Sequence, residues 1–324
     1  MIKVGIFGYG NLGKGVHLAV DKAPDMELVG IFTRRNPKDV NPVIKADVYR
    51  AEDMASFKND VDVMICCGGS ATDLPKTTKK VLENFNTVDS FDTHALIPEY
   101  YDELNTVAAK NDKLCAISIG WDPGMFSIMR MLFGAVLPEG NDYTFWGKGV
   151  SQGHSDAIRR IKGVKNAIQY TIPKEEALKQ VKSGSAPTLT AREKHLRECF
   201  VVAEDGADRE KIEKAIKEMP NYFADYDTIV HFISEEQLKK EHSRLPHGGF
   251  VIRSGKTSEE NSHILEFSLK LDSNPQFTGS VLTAYARAVA KLYNEGKRGA
   301  VTVFDIPVKY LSPLAENDLR KKLL

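Results

Sequence analysis

Gly8-Tyr9-Gly10-Asn11-Leu12-Gly13 is a GxGxxG placed directly after an apolar run at 3–7 and at the start of a helical stretch. In that setting the first glycine permits a tight turn and the second lets a pyrophosphate approach the backbone. The third allows close helix–strand packing, while the helix N-terminus faces the anion. The next apolar run ends in Phe32-Thr33-Arg34-Arg35, where a site for a free ribose 2′-hydroxyl would usually carry Asp or Glu. A carboxylate repels a 2′-phosphate, whereas two guanidiniums and a hydroxyl bind it through charge-assisted hydrogen bonds. Thr33, Arg34 and Arg35 therefore favour NADP over NAD, with two solvated loop arginines as the plainer alternative. A further run ends in Cys66-Cys67-Gly68-Gly69-Ser70. Cys67, Gly68, Gly69 and Ser70 are small enough for a dinucleotide to lie across them at the carboxyl edge of a sheet, or they form a simple turn.

Two acidic residues stand at later strand ends: Asp92 in Ser90-Phe91-Asp92-Thr93-His94 and Asp122 in Gly120-Trp121-Asp122-Pro123-Gly124. A carboxylate beside a nicotinamide holds a substrate ammonium and accepts its proton as a C–N bond is oxidised. Each aspartate also precedes a reasonable helix start, so helix capping fits the spacing equally well.

The elements that must position these groups alternate. Apolar runs at 3–7, 27–32, 61–66, 87–91 and 114–119 are separated by helical segments at 11–22, 72–83 and 98–110. That order predicts an α/β, Rossmann-type doubly wound parallel sheet. After Gly120 the strands lengthen and carry polar residues, at 143–146, 166–172, 197–203, 227–233, 250–253 and 264–271, with helices at 208–219 and 234–242. This texture predicts an antiparallel sheet, wet on one side, in a second α+β domain. Val281, Leu282, Tyr285, Val289 and Leu292 share a helical face, Gly296 follows where a left-handed cap would sit, and 300–304 is another strand candidate. The expected division is a dinucleotide-binding domain at 1–120, completed by about 278–324, and a substrate and dimerisation domain at 121–277.

At 324 residues and 42% hydrophobic, the chain buries a sizeable core without staples. Lysine plus arginine equals aspartate plus glutamate at 44 each, so no basic field attracts nucleic acid or an anionic membrane. No apolar run approaches the roughly 18 residues of a membrane span, and no secretion signal precedes the first strand. Cys66, Cys67, Cys115 and Cys199 sit in apolar runs and read as reduced, buried thiols of a cytosolic protein. No HExxH or paired-cysteine metal spacing occurs. His154, Ser155 and Asp156 are adjacent and cannot form a nucleophile–base–orienter relay, so Ser155 reads as a cap.

Several longer blocks are specific. Gly120-Trp121-Asp122-Pro123-Gly124-Met125-Phe126-Ser127, Thr144-Phe145-Trp146-Gly147 and Ser151-Gln152-Gly153-His154-Ser155-Asp156 resemble the meso-diaminopimelate dehydrogenase family. Gln169-Tyr170-Thr171, the block from Arg197 to Val202, Pro246-His247-Gly248-Gly249 and the block from Leu271 to Pro275 extend the resemblance over almost the whole chain. It implies a homodimeric enzyme performing reversible, NADP-dependent oxidative deamination at the D-centre of meso-2,6-diaminopimelate. The reductive direction would make a lysine and cell-wall precursor. It also implies that Asp92 and Asp122 lie near the reacting centre, and that Trp121, Trp146, Gln152 and Gly153 line the pocket. Thr171, Arg197, His247 and Asn274 would bind carboxylate and amino groups. Taken alone, the tryptophans fit a core, His247 a turn and Arg197 a strand surface. Two other readings stand beside this one: another NADP-dependent amino-acid or semialdehyde reductase, and a non-catalytic NADP-sensing regulator.

Overall fold

The computed structural model describes residues 1–70 and 72–324. In chain order the first elements are β1 (Ile2–Phe7), α1 (Asn11–Asp21), β2 (Met26–Thr33), β3 (Val48–Arg50), β4 (Val63–Cys66), α2 (Leu74–Leu82), β5 (Asn86–Asp89), α3 (Ile97–Lys110) and β6 (Leu114–Ala116). There follow α4 (Met125–Val136), β7 (Gly140–Trp146), β8 (Gly149–Val150), α5 (Gln152–Arg159), β9 (Val164–Pro173), α6 (Glu175–Lys182), α7 (Ala191–Lys194), β10 (His195–Ala203) and α8 (Arg209–Lys217). The last are β11 (Asp227–Phe232), α9 (Glu235–Glu241), β12 (His247–Ser258), β13 (Asn261–Leu271), α10 (Asn274–Asn294), β14 (Gly299–Val301) and α11 (Glu316–Leu323). The chain divides into two compact units, Met1–Ile128 with Pro275–Leu324, and Met129–Asn274.

In the first unit a seven-stranded sheet runs in the order β14-β6-β5-β4-β1-β2-β3 with every pairing parallel. Its central strands are apolar on both faces because helices cover both. Val4, Ile6, Ile65 and Val88 pack with α1 and α10, and Phe7, Phe32, Met64 and Cys66 pack with α2 and α3. Cys66 and Cys67 accordingly enter opposite core clusters, and all four cysteines are free and buried. The α10 stripe of Val281, Leu282, Tyr285, Val289 and Leu292 is buried in the same core. Arg287 fixes that helix by a two-pronged pair with Asp25, both contacts 2.7 Å, while itself almost wholly buried.

Strands β5 and β6 end at Asp89 and Ala116, short of the expected 91 and 119. The buried Asp89 carboxylate explains this: Oδ1 accepts from the N–H of Phe91 at 3.0 Å and of Ser118 at 3.3 Å, pulling both chains out of the ladder. Oδ2 accepts from Tyr100 Oη at 2.6 Å.

The second unit holds two sheets, β11-β10-β9-β8 and β13-β12-β7. Strand pairs β8–β9, β9–β10, β7–β12 and β12–β13 are antiparallel as expected, but β10 and β11 run parallel. A parallel pair needs a crossover, which α8 supplies. Ile158 of α5, Ile212 and Ile216 of α8 and the loop residue Phe223 bury one face of β9 and β10 over Ala167, Cys199 and Val201. Asp208 caps α8 by accepting from Lys211 N at 3.1 Å, and Ser234 caps α9 by accepting from Gln237 N at 3.0 Å. Ser155 is not a cap. It lies inside α5, donates to Ser151 O at 2.6 Å and accepts from Gln169 N at 3.0 Å.

Candidate functional site

In the first unit the loops at the carboxyl ends of β1, β2, β4, β5 and β6 form one connected edge. Gly8 turns the chain with φ +94°, and a Cβ on Gly13 would stand 2.3 Å from the Gly8 carbonyl oxygen, so the turn and the first coil of α1 close only around glycine. Gly10 occupies the α1 N-cap position, and no side chain among the described residues caps it. The first-turn N–H groups, with Asn11 and Gly10 exposed and Leu12 half-buried, are thus directed at an incoming anion. A Cβ on Gly10 would meet nothing within 4 Å. Tyr9 differs from its neighbours: its ring is buried, its hydroxyl meets His17 Nδ1 at 2.8 Å and accepts from Val43 N at 2.9 Å, and only its backbone belongs to the loop.

At the end of β2, Arg35 Nη2 donates to Tyr9 O at 2.6 Å and Thr33 Oγ1 accepts from Arg35 N at 3.1 Å. Arg34, exposed, pairs with Asp73 at 2.7 Å, and the other Asp73 oxygen accepts from Gly69 N at 3.2 Å. The Arg34 guanidinium holds the Asp73 carboxyl below the usual carboxylate range. The Gly8–Gly13 turn, the two arginines and the Cys67–Ser70 segment are therefore joined by short contacts. The cradle at Gly8 and Gly13, an α1 terminus that no side chain caps and two guanidiniums beyond β2 suit a phosphorylated dinucleotide.

Asp92 and Asp122 follow β5 and β6, neighbours in the sheet. Ser70 Oγ accepts from Asp92 N at 2.8 Å, linking the aspartate loop to the segment after β4. Both loops are also tied to Asp89, one residue before Ser90 and thirty before Ile119, through the bonds described above. Neither α2 nor α3 uses Asp92 as a cap; Asp73 and Leu96 hold those positions. Trp121 is buried and meets Phe126 edge to face, with ring centroids 5.2 Å apart.

In the second unit the register sets Arg197 of β10 directly opposite Thr171 of β9 and beside Thr228 of β11. Thr171 Oγ1 accepts from Arg197 Nη1. Gly149 of β8 is the other partner of Thr171, and a Cβ there would fall 2.5 Å from Cγ of His247, so glycine admits the imidazole to this row. Trp146 N donates to His195 Nε2 at 2.9 Å. Gln152 and Gly153 open α5 in exposed positions, joined to the sheet by Ser151 N donating to Gln169 O at 3.0 Å. Asn274 starts α10, its N–H donating to Leu245 O at 2.9 Å.

Arg197 is only 6% exposed, yet no carboxylate among the described residues pairs with it. Burial lowers its pKa from the ordinary guanidinium value. Its Nε lacks a partner, as do Gln169 Oε1 and Thr228 Oγ1 on the neighbouring strands. Such a patch is costly until a polar group fills it. Gln169, Thr228, Tyr226, His154 and His195 surround it and escaped the sequence reading. The signal was present in the β9 and β10 alternation, which puts Gln169, Thr171, His195 and Arg197 on one buried face.

Among the described residues no cluster of three metal-ligating side chains occurs, and no helix is long and apolar enough to cross a membrane. Residues 120–273 match the family model of the diaminopimelic acid dehydrogenase C-terminal domain. The chain is 61% identical to the meso-diaminopimelate D-dehydrogenase of Ureibacillus thermosphaericus, over 100% of this chain and 99% of that one. A solved sixfold mutant of the Clostridium tetani meso-diaminopimelate dehydrogenase with DAP superposes with TM-score 0.96 at 52% identity, covering 100% of both chains. An engineered D-amino acid dehydrogenase bound to NADP+ superposes with TM-score 0.89 at 44% identity, covering 100% of this chain and 99% of that one. With identity at this level running from end to end, the chain belongs to the meso-diaminopimelate D-dehydrogenase family.

Proposed function

We propose that the protein is an NADP-dependent amino-acid dehydrogenase that reversibly converts meso-2,6-diaminopimelate, water and NADP+ into L-2-amino-6-oxopimelate, ammonia, NADPH and a proton. The observation that carries this reading is Arg197, a buried cation with no carboxylate partner among the described residues, flanked by orphaned polar atoms. A dicarboxylate with two ammonium groups supplies what that patch lacks, and the family relationship names such a substrate.

Residues Gly8 to Gly13 and the α1 N-terminus hold the cofactor pyrophosphate, Thr33, Arg34 and Arg35 the 2′-phosphate, and Cys67 to Ser70 the stretch beyond. Bound there, NADP+ supplies a hydride acceptor. Arg197, Thr171, His247 and Asn274 bind substrate carboxylate and amino groups, so that only the α-hydrogen of the D-centre is offered for transfer. Trp121, Trp146, Gln152 and Gly153 are further substrate contacts, the indole rings keeping water from the charged groups. Asp92 and Asp122 hold the D-centre ammonium, and an Oδ of this pair takes its proton as the C–N bond is oxidised. Water then adds to the iminium carbon and ammonia leaves.

A cysteine-dependent semialdehyde enzyme fits less well. All four thiols are buried and pushed upward, Cys199 to about 12, so none is a thiolate near neutral pH. The homodimer is supported by α4, a strongly apolar helix that buries only Phe126 and exposes Met131, Leu132 and Val136. Four reduced cysteines and a bacterial lysine and cell-wall precursor as product agree with a cytoplasmic location.

Arg197→Met tests the reading. It removes the cation at constant bulk and should lower kcat/KM for meso-diaminopimelate by on the order of 100-fold or more, as expected for a charge-assisted pair, while the KM for NADP stays within about twofold. Unchanged kcat/KM would overturn the assignment of Arg197.

A further inference from the structure

Thr171 fixes one end of the Arg197 guanidinium, but a single hydrogen bond leaves a planar group free to swing about it. Tyr226, the residue immediately before β11, removes that freedom. Its ring centroid lies 3.9 Å from the guanidinium carbon, so ring and cation are in van der Waals contact. The ring is itself anchored: Tyr226 N donates to Phe223 O at 2.9 Å, and Phe223 is fully buried in the core beneath β9 and β10. The geometry therefore runs from a packed core, through a rigid turn, to one face of a cation that meets no carboxylate among the described residues.

Two physical consequences follow. The negative face of the phenol ring offsets part of the cost of keeping Arg197 charged out of water. The ring also closes one face and fixes the plane, so that the edge, where guanidinium N–H groups form parallel bonds with both oxygens of a carboxylate, is presented in one orientation. A lysine ammonium would gain nothing from such a platform in orientation, because it has no plane to fix.

We propose that Tyr226 is a positioning residue for substrate binding, holding the Arg197 guanidinium in one plane so that its edge meets a substrate carboxylate. This rests on the assignment of Arg197 to that carboxylate, and the experiment separates the two. Steady-state kcat and KM for meso-diaminopimelate at saturating NADP are measured for Y226F, Y226L, R197M and the Y226L/R197M double variant, with thermal unfolding of each.

Tyr226→Phe keeps the platform and should hold KM within about threefold of the parent. Tyr226→Leu should raise KM about tenfold to thirtyfold, equivalent to about 1.4–2 kcal/mol, with kcat within about threefold because the lost contact acts on ground state and transition state alike. In the R197M background the same substitution should change kcat/KM less than about twofold, since the group through which it acts is gone. If R197M alone leaves kcat/KM unchanged, the carboxylate assignment falls, and the proposal with it. If R197M is impaired but Y226L lowers kcat/KM by the same factor in both backgrounds, Tyr226 does not act through Arg197; if Y226F is as poor as Y226L, the phenol hydroxyl and not the ring face is what matters; either result overturns the proposal alone. Should Y226L fail to fold, Tyr226→Met, which keeps bulk without an aromatic face, is read in the same way.

Discussion

The main-chain N–H of Trp146 donates to Nε2 of His195 at 2.9 Å, and the two rings stack with centroids 5.4 Å apart. As an acceptor there, the imidazole is neutral. Burial first, then the charge of Arg197, lowers its pKa to about 3, and the same two causes bring His154 to about 3. Both values lie below the ordinary 6.5, so the unfolded chain binds protons that the native one does not. Their contribution to stability is complete above that ordinary value and is lost as pH falls from there toward about 3, at up to about 1.4 kcal/mol per pH unit for each imidazole. His195→Gln keeps an acceptor for Trp146 and removes one titration. Chemical denaturation between about pH 6 and pH 4 should give a slope shallower by about one proton, and equal slopes would contradict the buried-neutral assignment.

The proposed cofactor choice rests on the guanidiniums after β2. Arg35→Ala removes a charged donor and the bond that steadies the Tyr9 carbonyl. It should raise the KM for NADP about 10- to 100-fold, the scale of a charge-assisted hydrogen bond, and leave the much weaker use of NAD within about threefold. A similar loss for both cofactors would mean that the arginine supports the loop and does not read the 2′-phosphate.

Asp89 is a carboxylate buried completely at the end of β5, its pKa raised by burial and lowered in part by Tyr100 and by the N–H groups of Phe91 and Ser118. Tyr100→Phe withdraws the 2.6 Å bond to Oδ2 without changing the ring that stacks on Phe91 at 4.1 Å. It should cost about 1–3 kcal/mol, read as a melting point lower by several degrees. Because both aspartate loops hang on this carboxylate, kcat should fall more than the KM for NADP rises. An unshifted melting point would show that another donor takes the place of Tyr100.

Much of the first unit was legible because parallel strands buried on both faces must be apolar along their length, and GxGxxG has few uses between a strand and a helix. The short edge strand β3 was missed, since two half-buried residues followed by an exposed one carry no period. For helix α4 only a start after Asp122 was recognised; its extent was not, because its run from Met125 to Val136 is apolar apart from Ser127, Arg130 and Gly134. In the second unit the strands were placed by alternation, but the parallel β10–β11 pairing is a property of the connection through α8 and not of either strand. Arg197, Thr171 and His247 were named through resemblance; composition alone favoured a strand surface or a turn. What set them apart was burial of a cation without a carboxylate, a quantity that exists only once the strands are in register.

The most direct test is to incubate purified protein with NADP+ and, separately, the meso, LL and DD isomers of diaminopimelate, following NADPH absorbance and ammonia together. The account predicts equimolar NADPH and ammonia with the meso isomer and neither with the LL isomer, which has no D-centre to oxidise. Turnover of the LL isomer, or NADP+ binding without reduction in the presence of the meso isomer, would contradict it.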